Sequence, residues 1–218
     1  MFLPLAFSLA LDSAAPSVPP PARYQYEGFI DGKTVGNNSL TLKRGPDEYI
    51  VDEKADAHLP TGDQSAATHM TLDNQLRPTD YSATYTVFDE PAKATVSFSD
   101  RVATMVMGSD TKTIPMGGSS RSFIVLDTSL VSGYFLLPAQ VRAFAGADLT
   151  AIIPGQGGSA FLNVIPNDRP ARPSDVPAGD VSISFAGEIP FVEWYEPSTL
   201  ILDELSMPVQ NLVVKRRR

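Results

Sequence analysis

The sequence predicts a mainly β fold: a β-rich α+β chain built on one large curved antiparallel sheet or partly open barrel, with a single inserted helical segment at about 126–145. Three observations predict it. Short runs of alternating apolar and polar residues recur along nearly the whole chain, and a period of two is the mark of a half-buried strand. Turn-forming clusters such as Asp31-Gly32, Gly45-Pro46-Asp47 and Gly108-Ser109-Asp110 separate those runs at short intervals, so that each strand pairs with the next. Only Ser122 to Ala145, SFIVLDTSLVSGYFLLPAQVRAFA, is long, apolar and free of alternation.

The chain opens on Phe2 to Leu11, FLPLAFSLAL, followed by the small residues Ser13, Ala14 and Ala15. This has the shape of the later part of a secretory signal and its cleavage region, although it lacks a positively charged start and is too short to span a bilayer. The expectation is export to the periplasm or the extracellular space, with a true start upstream of Met1 as one way to supply the missing charge. Val18 to Ala22, VPPPA, reads as an extended spacer because successive prolines favour polyproline II. Residues 1–22 are therefore set apart from a single β-rich domain over 23–218.

Tyr24, Tyr26 and Ile30 alternate with polar neighbours, Asp31-Gly32 turns the chain, and Leu40 and Leu42 alternate in the returning strand. Tyr49 and Val51 give a third strand, and Met70 and Leu72 a fourth beyond a polar loop. The clearest half-buried strand carries Tyr81, Ala83, Tyr85 and Val87 on one face. Ala94 to Phe98, Arg101 to Met107 and Thr111 to Pro115 extend the meander. In the central stretch, Asp127, Thr128 and Ser129 are side chains able to cap a first helical turn, and Leu130, Tyr134 and Leu137 recur at helical spacing. Pro138 predicts a break, with Ala139 to Ala145 as a second short helix ended by Gly146. Leu149 to Ile153 and Ala160 to Ile165 flank the turn Pro154 to Gly158. A proline-punctuated excursion follows, and alternation resumes at Val181 and runs to Lys215.

Composition bounds function more than it names it. A formal charge of −8 argues against a nucleic-acid surface, and the absence of cysteine excludes disulfides and thiol chemistry. His58 and His69, with Asp56, Asp63 and Asp73, match no ligand spacing, so no metal or other cofactor is expected. Ser109 to Lys112 fits the S-x-x-K pattern but sits between strands, where it reads as a turn, and Gly155 to Gly158 lacks the lysine of a phosphate loop. Glu188, Glu193, Glu196, Asp203 and Glu204 beside Trp194 and Tyr195 could serve a hydrolase, or simply form a wet face. The basic end Lys215 to Arg218 is either a lipid-steering patch or a soluble terminus.

Four segments carry a family resemblance: YEGFIDGKTVGNNSLTLKR from Tyr24, LDNQLRPTDYSATY from Leu72, VLDTSLVSGYFLLPAQ from Val125 and VEWYEPSTLILDELSMP from Val192. They resemble an uncharacterised class of exported bacterial β-rich domains, somewhat like the periplasmic lipoprotein carriers that hold acyl chains. The resemblance implies a curved sheet partly covered by helices. A histidine that often follows the helix start in such sequences is replaced here by Ser132, Gly133 and Tyr134.

The functional expectation is an exported, non-enzymatic protein with no catalytic residues, binding a lipid-like or other apolar ligand in a groove between sheet and helix. Leu130, Tyr134, Leu137, Tyr81 and Tyr85 are the candidate ligand-binding residues. The first alternative is an envelope scaffold or interaction domain with a filled core and a protein partner, and the second is a hydrolase using the late acidic cluster. Neither a nucleic-acid partner nor a transmembrane span is expected.

Overall fold

The computed structural model describes residues 17–59, 62–87, 90–99, 101–115, 121–127, 130–145 and 148–218. The signal-like run, Thr128, Ser129 and Gly146 lie outside the described residues. Eight strands form the first part: β1 (Arg23–Ile30), β2 (Lys33–Arg44), β3 (Glu48–Leu59), β4 (Gly62–Asp73), β5 (Pro78–Val87), β6 (Glu90–Ser99), β7 (Val102–Met107) and β8 (Asp110–Pro115). Then come β9 (Arg121–Val125), the helix α1 (Ser132–Ala143), β10 (Asp148–Ile153), β11 (Gly158–Val164), β12 (Val181–Ala186), β13 (Phe191–Tyr195), β14 (Leu202–Met207) and β15 (Leu212–Arg216).

All 15 strands belong to one sheet in the order β8-β7-β6-β5-β4-β3-β2-β1-β15-β14-β13-β12-β11-β10-β9. It is two meanders joined where the first and last strands pair, Tyr26 opposite Arg216 and Ile30 opposite Leu212. The sheet is curved but not closed, since β8 and β9 stand at its two ends. It rolls until β9 lies over the inner side of β5 and β6: the rings of Phe98 and Phe123 come within 5.9 Å. Lys112 beyond the overlap donates to the Gly157 carbonyl at 3.2 Å.

Helix α1 lies inside this roll. Every residue from Val131 to Gln140 is buried, which is the signature of a helix surrounded by protein rather than one that covers a core with a single face. Phe135 packs on Tyr24 at 4.7 Å and Tyr26 at 6.4 Å, while Tyr134 stands edge-on to Phe191 at 5.2 Å. Helix and β9 come together so closely at Gly133 that a Cβ there would lie 2.0 Å from the Val125 carbonyl oxygen. Glycine alone fits.

Several expectations need correction. The apolar stretch from Ser122 is a strand before it is a helix: β9 takes Arg121–Val125, and α1 begins at Ser132, so Leu130 precedes the helix. Pro138 does not break α1, which continues to Ala143. The proline removes one backbone donor, and contacts all around the helix hold it through that gap. β9 and β10 pair in parallel, unlike every other pair, because the helix between them is a crossover. Finally, the polar loop expected between Val51 and Met70 is a long hairpin, β3 pairing with β4 from Glu48 opposite Asp73 to Leu59 opposite Gly62.

Candidate functional site

The five candidate ligand residues do gather around the helix. Leu130, Tyr134, Leu137 and Tyr81 expose 3%, 1%, 0% and 0% of their surface, and Tyr85 is half-buried. A side chain lining a water-sized void would present surface to it, so the first four border none. Tyr81 and Tyr85, four residues apart on the inner face of β5, both donate their hydroxyls to Oδ2 of Asp127, Tyr81 at 2.9 Å. Burial and the adjacent Asp127 carboxylate hold both phenols well above their ordinary range. Their polar ends are spent on the loop that leads into α1.

The start of α1 is held from across the roll. Val131 occupies the cap position with no side-chain cap from its own segment. Instead Glu53 of β3 reaches in: Oε1 accepts from the Val131 N–H at 2.8 Å and from the Asn38 amide at 2.6 Å, and Oε2 accepts from the Ser132 N–H at 2.7 Å. A carboxylate at a helix N-terminus satisfies orphan donors and meets the positive end of the helix dipole. Burial pushes the Glu53 carboxyl up, against these three donors that draw it down.

A second buried carboxyl has no such partners. Glu193 on β13 is fully buried, and neither of its oxygens has a hydrogen-bond partner among the described residues. Burial alone raises it well above the usual carboxylate range. The Tyr134 hydroxyl, which feels the charge of Glu193, is likewise buried and unpartnered.

The late acidic cluster divides: Glu193 turns inward, while Glu196 and Asp203 share an outer cleft. Glu193 pairs with Leu205 on the inner face, whereas the adjacent Trp194 pairs with Glu204 on the other, as alternation along a strand requires. Glu196 closes the following turn by accepting from Ser198 at 2.9 Å and Thr199 at 2.8 Å. Asp203 is the extra residue of a bulge between Glu204 and Leu202, and Arg216 and Arg218 approach its Oδ1 at 3.4 and 3.3 Å.

Asp203, Glu196 and these arginines line a cleft of about 490 Å3 together with Pro177, Gly179 and Asp180. Burial first, and the neighbouring Asp203 next, push the Asp180 carboxyl up to about 6. Asp180 belongs to the proline-rich excursion, and only the structure brings it to Asp203. The basic end is similarly committed: Lys215 pairs with Asp175 and, at 3.6 Å, with Glu204, and Arg217 pairs with Glu27 at 3.0 Å.

The histidines stand apart on the β3–β4 ladder, His58 2.9 Å from Asp63 and His69 2.7 Å from Asp52. Six ladder rows separate the two pairs, about 20 Å at the rise of a strand. They cannot share one ion. Among the described residues no three acidic or histidine side chains form a metal-holding group, and no helix is long and apolar enough to cross a membrane.

No protein-family model and no curated protein matches the chain. Among solved structures it is similar to a β-barrel-like protein of a domain of unknown function, DUF1849, from Brucella abortus. The TM-score is 0.56 and the identity 10%, over 93% of this chain and 97% of that one. At that identity the likeness is one of fold: a β-barrel-like architecture found in an uncharacterised bacterial domain.

Proposed function

We propose that the chain is an exported, non-enzymatic scaffold or interaction domain of the bacterial envelope, acting through its surface while its own helix fills the interior. The observation that carries this reading is the burial of Leu130, Tyr134, Leu137 and Tyr81 by the chain's own atoms. In the carrier reading, suggested by the resemblance to lipoprotein carriers, an acyl chain would take the space between helix and sheet. That space holds Phe135 against Tyr24 and Tyr134 against Phe191. Export rests on the composition of Phe2 to Leu11 alone.

The test is an apolar fluorescent probe titrated at pH 5 into parent and Leu130→Ala proteins, alongside chemical denaturation. A filled core predicts no saturable probe binding by the parent and a stability loss of about 2–5 kcal/mol in the variant. Stoichiometric probe binding by the lipid-free parent, abolished in Tyr134→Asp at little cost in stability, would establish the carrier instead.

A further inference from the structure

Glu193 lies on the wall of the roll that faces α1, in the register row that pairs it with Ile183 of β12 and Leu205 of β14. Phe191 and Tyr195, two residues to either side, point the same way. The helix presents Tyr134 to this wall. Ile183, Leu205 and Phe191 offer nothing to an ion. Tyr134 has a buried, unpartnered hydroxyl. Arg142 is engaged over the Tyr195 ring at 5.8 Å. Asp127, which also acts on Tyr134, accepts from Tyr81 and Tyr85 and, as a carboxyl, offers no countercharge. A carboxylate at position 193 would thus meet apolar side chains on three sides, with no bond to either oxygen among the described residues, and burying an unpaired charge is far costlier than burying a neutral acid.

We infer that Glu193 is a proton-controlled latch on α1: protonated, it lets the helix seat against β12 to β14, and loss of the proton releases the helix from that wall and opens the interior. The position is unusual because a core contact as large as Phe191 and Tyr134 is built around a group that could have been leucine. The consequence is directional. Opening gives Glu193 access to water and an ordinary carboxyl pKa. Above that value the open fraction grows tenfold per pH unit, and it stops growing only when the closed form also loses its proton. The latch is therefore closed in acid and weakens through neutral pH. Released, it uncovers the aromatic face of the helix, so the filled interior is filled conditionally. This inference concerns the core alone and does not depend on which partner the outer surface meets.

Amide hydrogen exchange tests it on the whole chain between pH 5 and 8, with protection factors corrected for the pH dependence of intrinsic exchange. In the parent, protection of α1 amides is expected to fall about tenfold per pH unit over part of this range, while the β3–β4 ladder keeps its protection. In Glu193→Gln the α1 protection should be flat with pH. Glu193→Met, apolar and of similar length, gives the same flat profile if the glutamine variant folds poorly. A flat α1 profile in the parent overturns the latch. A parallel loss in α1 and in β3–β4 overturns it too, because Glu193 would then set global stability rather than release one helix. Persistence of the slope in both variants would overturn the latch and assign the slope to another group, first Glu53 at the helix start. Probe binding by the parent at pH 5 would refute the filled interior and leave the exchange result to be judged by itself.

Discussion

Replacing Glu53 by glutamine asks how much of the roll depends on a helix start capped from another strand. The side chain keeps its size, and the amide oxygen can still accept from the Asn38 amide and the Val131 N–H, which share Oε1 at 2.6 and 2.8 Å. The amide nitrogen then stands where Oε2 now accepts from Ser132 at 2.7 Å, so two donors face each other. A buried donor left without an acceptor costs about 1–3 kcal/mol. The two retained bonds lose their charge assistance, and the helix end loses an adjacent negative charge worth up to about 2 kcal/mol. Together these predict a loss of about 2–4 kcal/mol, or roughly 4–16 °C in Tm for a chain of this length. Glu53→Ala, which abandons all three donors and leaves a void, should lose more. Urea unfolding at pH 7 with an unchanged m-value measures it. A Glu53→Gln loss within about 0.5 kcal/mol, the scale of an ordinary surface change, would show that α1 is seated by packing alone.

Two other predictions follow from close approach and from titration. Gly133→Ala puts a Cβ 2.0 Å from the Val125 carbonyl, which rigid backbone cannot accommodate, and should cost about 3 kcal/mol or more. Gly179→Ala, with nothing within 4 Å of the added atom, should stay within about 0.5 kcal/mol by the same denaturation assay. Asp180, raised from its ordinary value to about 6, contributes stability that is present below the normal carboxyl range and lost as pH rises from about 4 to 6. Asp180→Asn should flatten that part of the Tm profile, and a parent carboxyl titrating near 4 by NMR would contradict the assignment.

What the sequence reveals depends on how many faces of an element are buried. β5 is legible because Tyr81 and Ala83 meet the core while Ser82 and Thr84 meet less of it, and the alternation survives in the letters. β9 is not. Phe123 packs on Phe98, Ile124 and Val125 are buried too, and a strand covered on both sides reads as one apolar run that merges with the helix after it. The distal β3–β4 hairpin fails for the opposite reason, since His58, Leu59, Gly62 and Asp63 lie beyond the core and carry no apolar period. The residues Leu130, Tyr134 and Leu137 were identifiable as buried against the sheet, yet helical periodicity could not tell a helix laid on a sheet from one enclosed by it. Glu53 as a cap lies 78 residues from the amide it meets, and no local pattern encodes such a pairing. The same holds for Asp180 beside Asp203, which join through a bulge and a proline-rich excursion.

The strand order explains why the helix must sit inside. β8 and β9 stand at opposite ends of the strand order, and the roll brings them together by laying β9 over the inner side of β6, with Phe123 on Phe98. A parallel crossover from β9 to β10 must then place its helix on one face of that pair. One face already lies against β5 and β6, so the other, which looks across to β1, β3 and β13, takes α1. Enclosure by the sheet leaves the helix no wet side from Ser132 to Gln140. That accounts for glycine at its point of closest approach, and for a cap borrowed from the opposite strand. It also leaves each polar group on the helix dependent on whatever the surrounding chain presents: Leu76 in the β4–β5 turn offers the Gln140 amide a carbonyl at 3.0 Å, and β13 gives the Tyr134 hydroxyl no hydrogen-bond partner. The two meanders meet at β1 and β15, where the face turned away from the helix carries Glu27–Arg217 and Asp175–Lys215, which tie the basic end down.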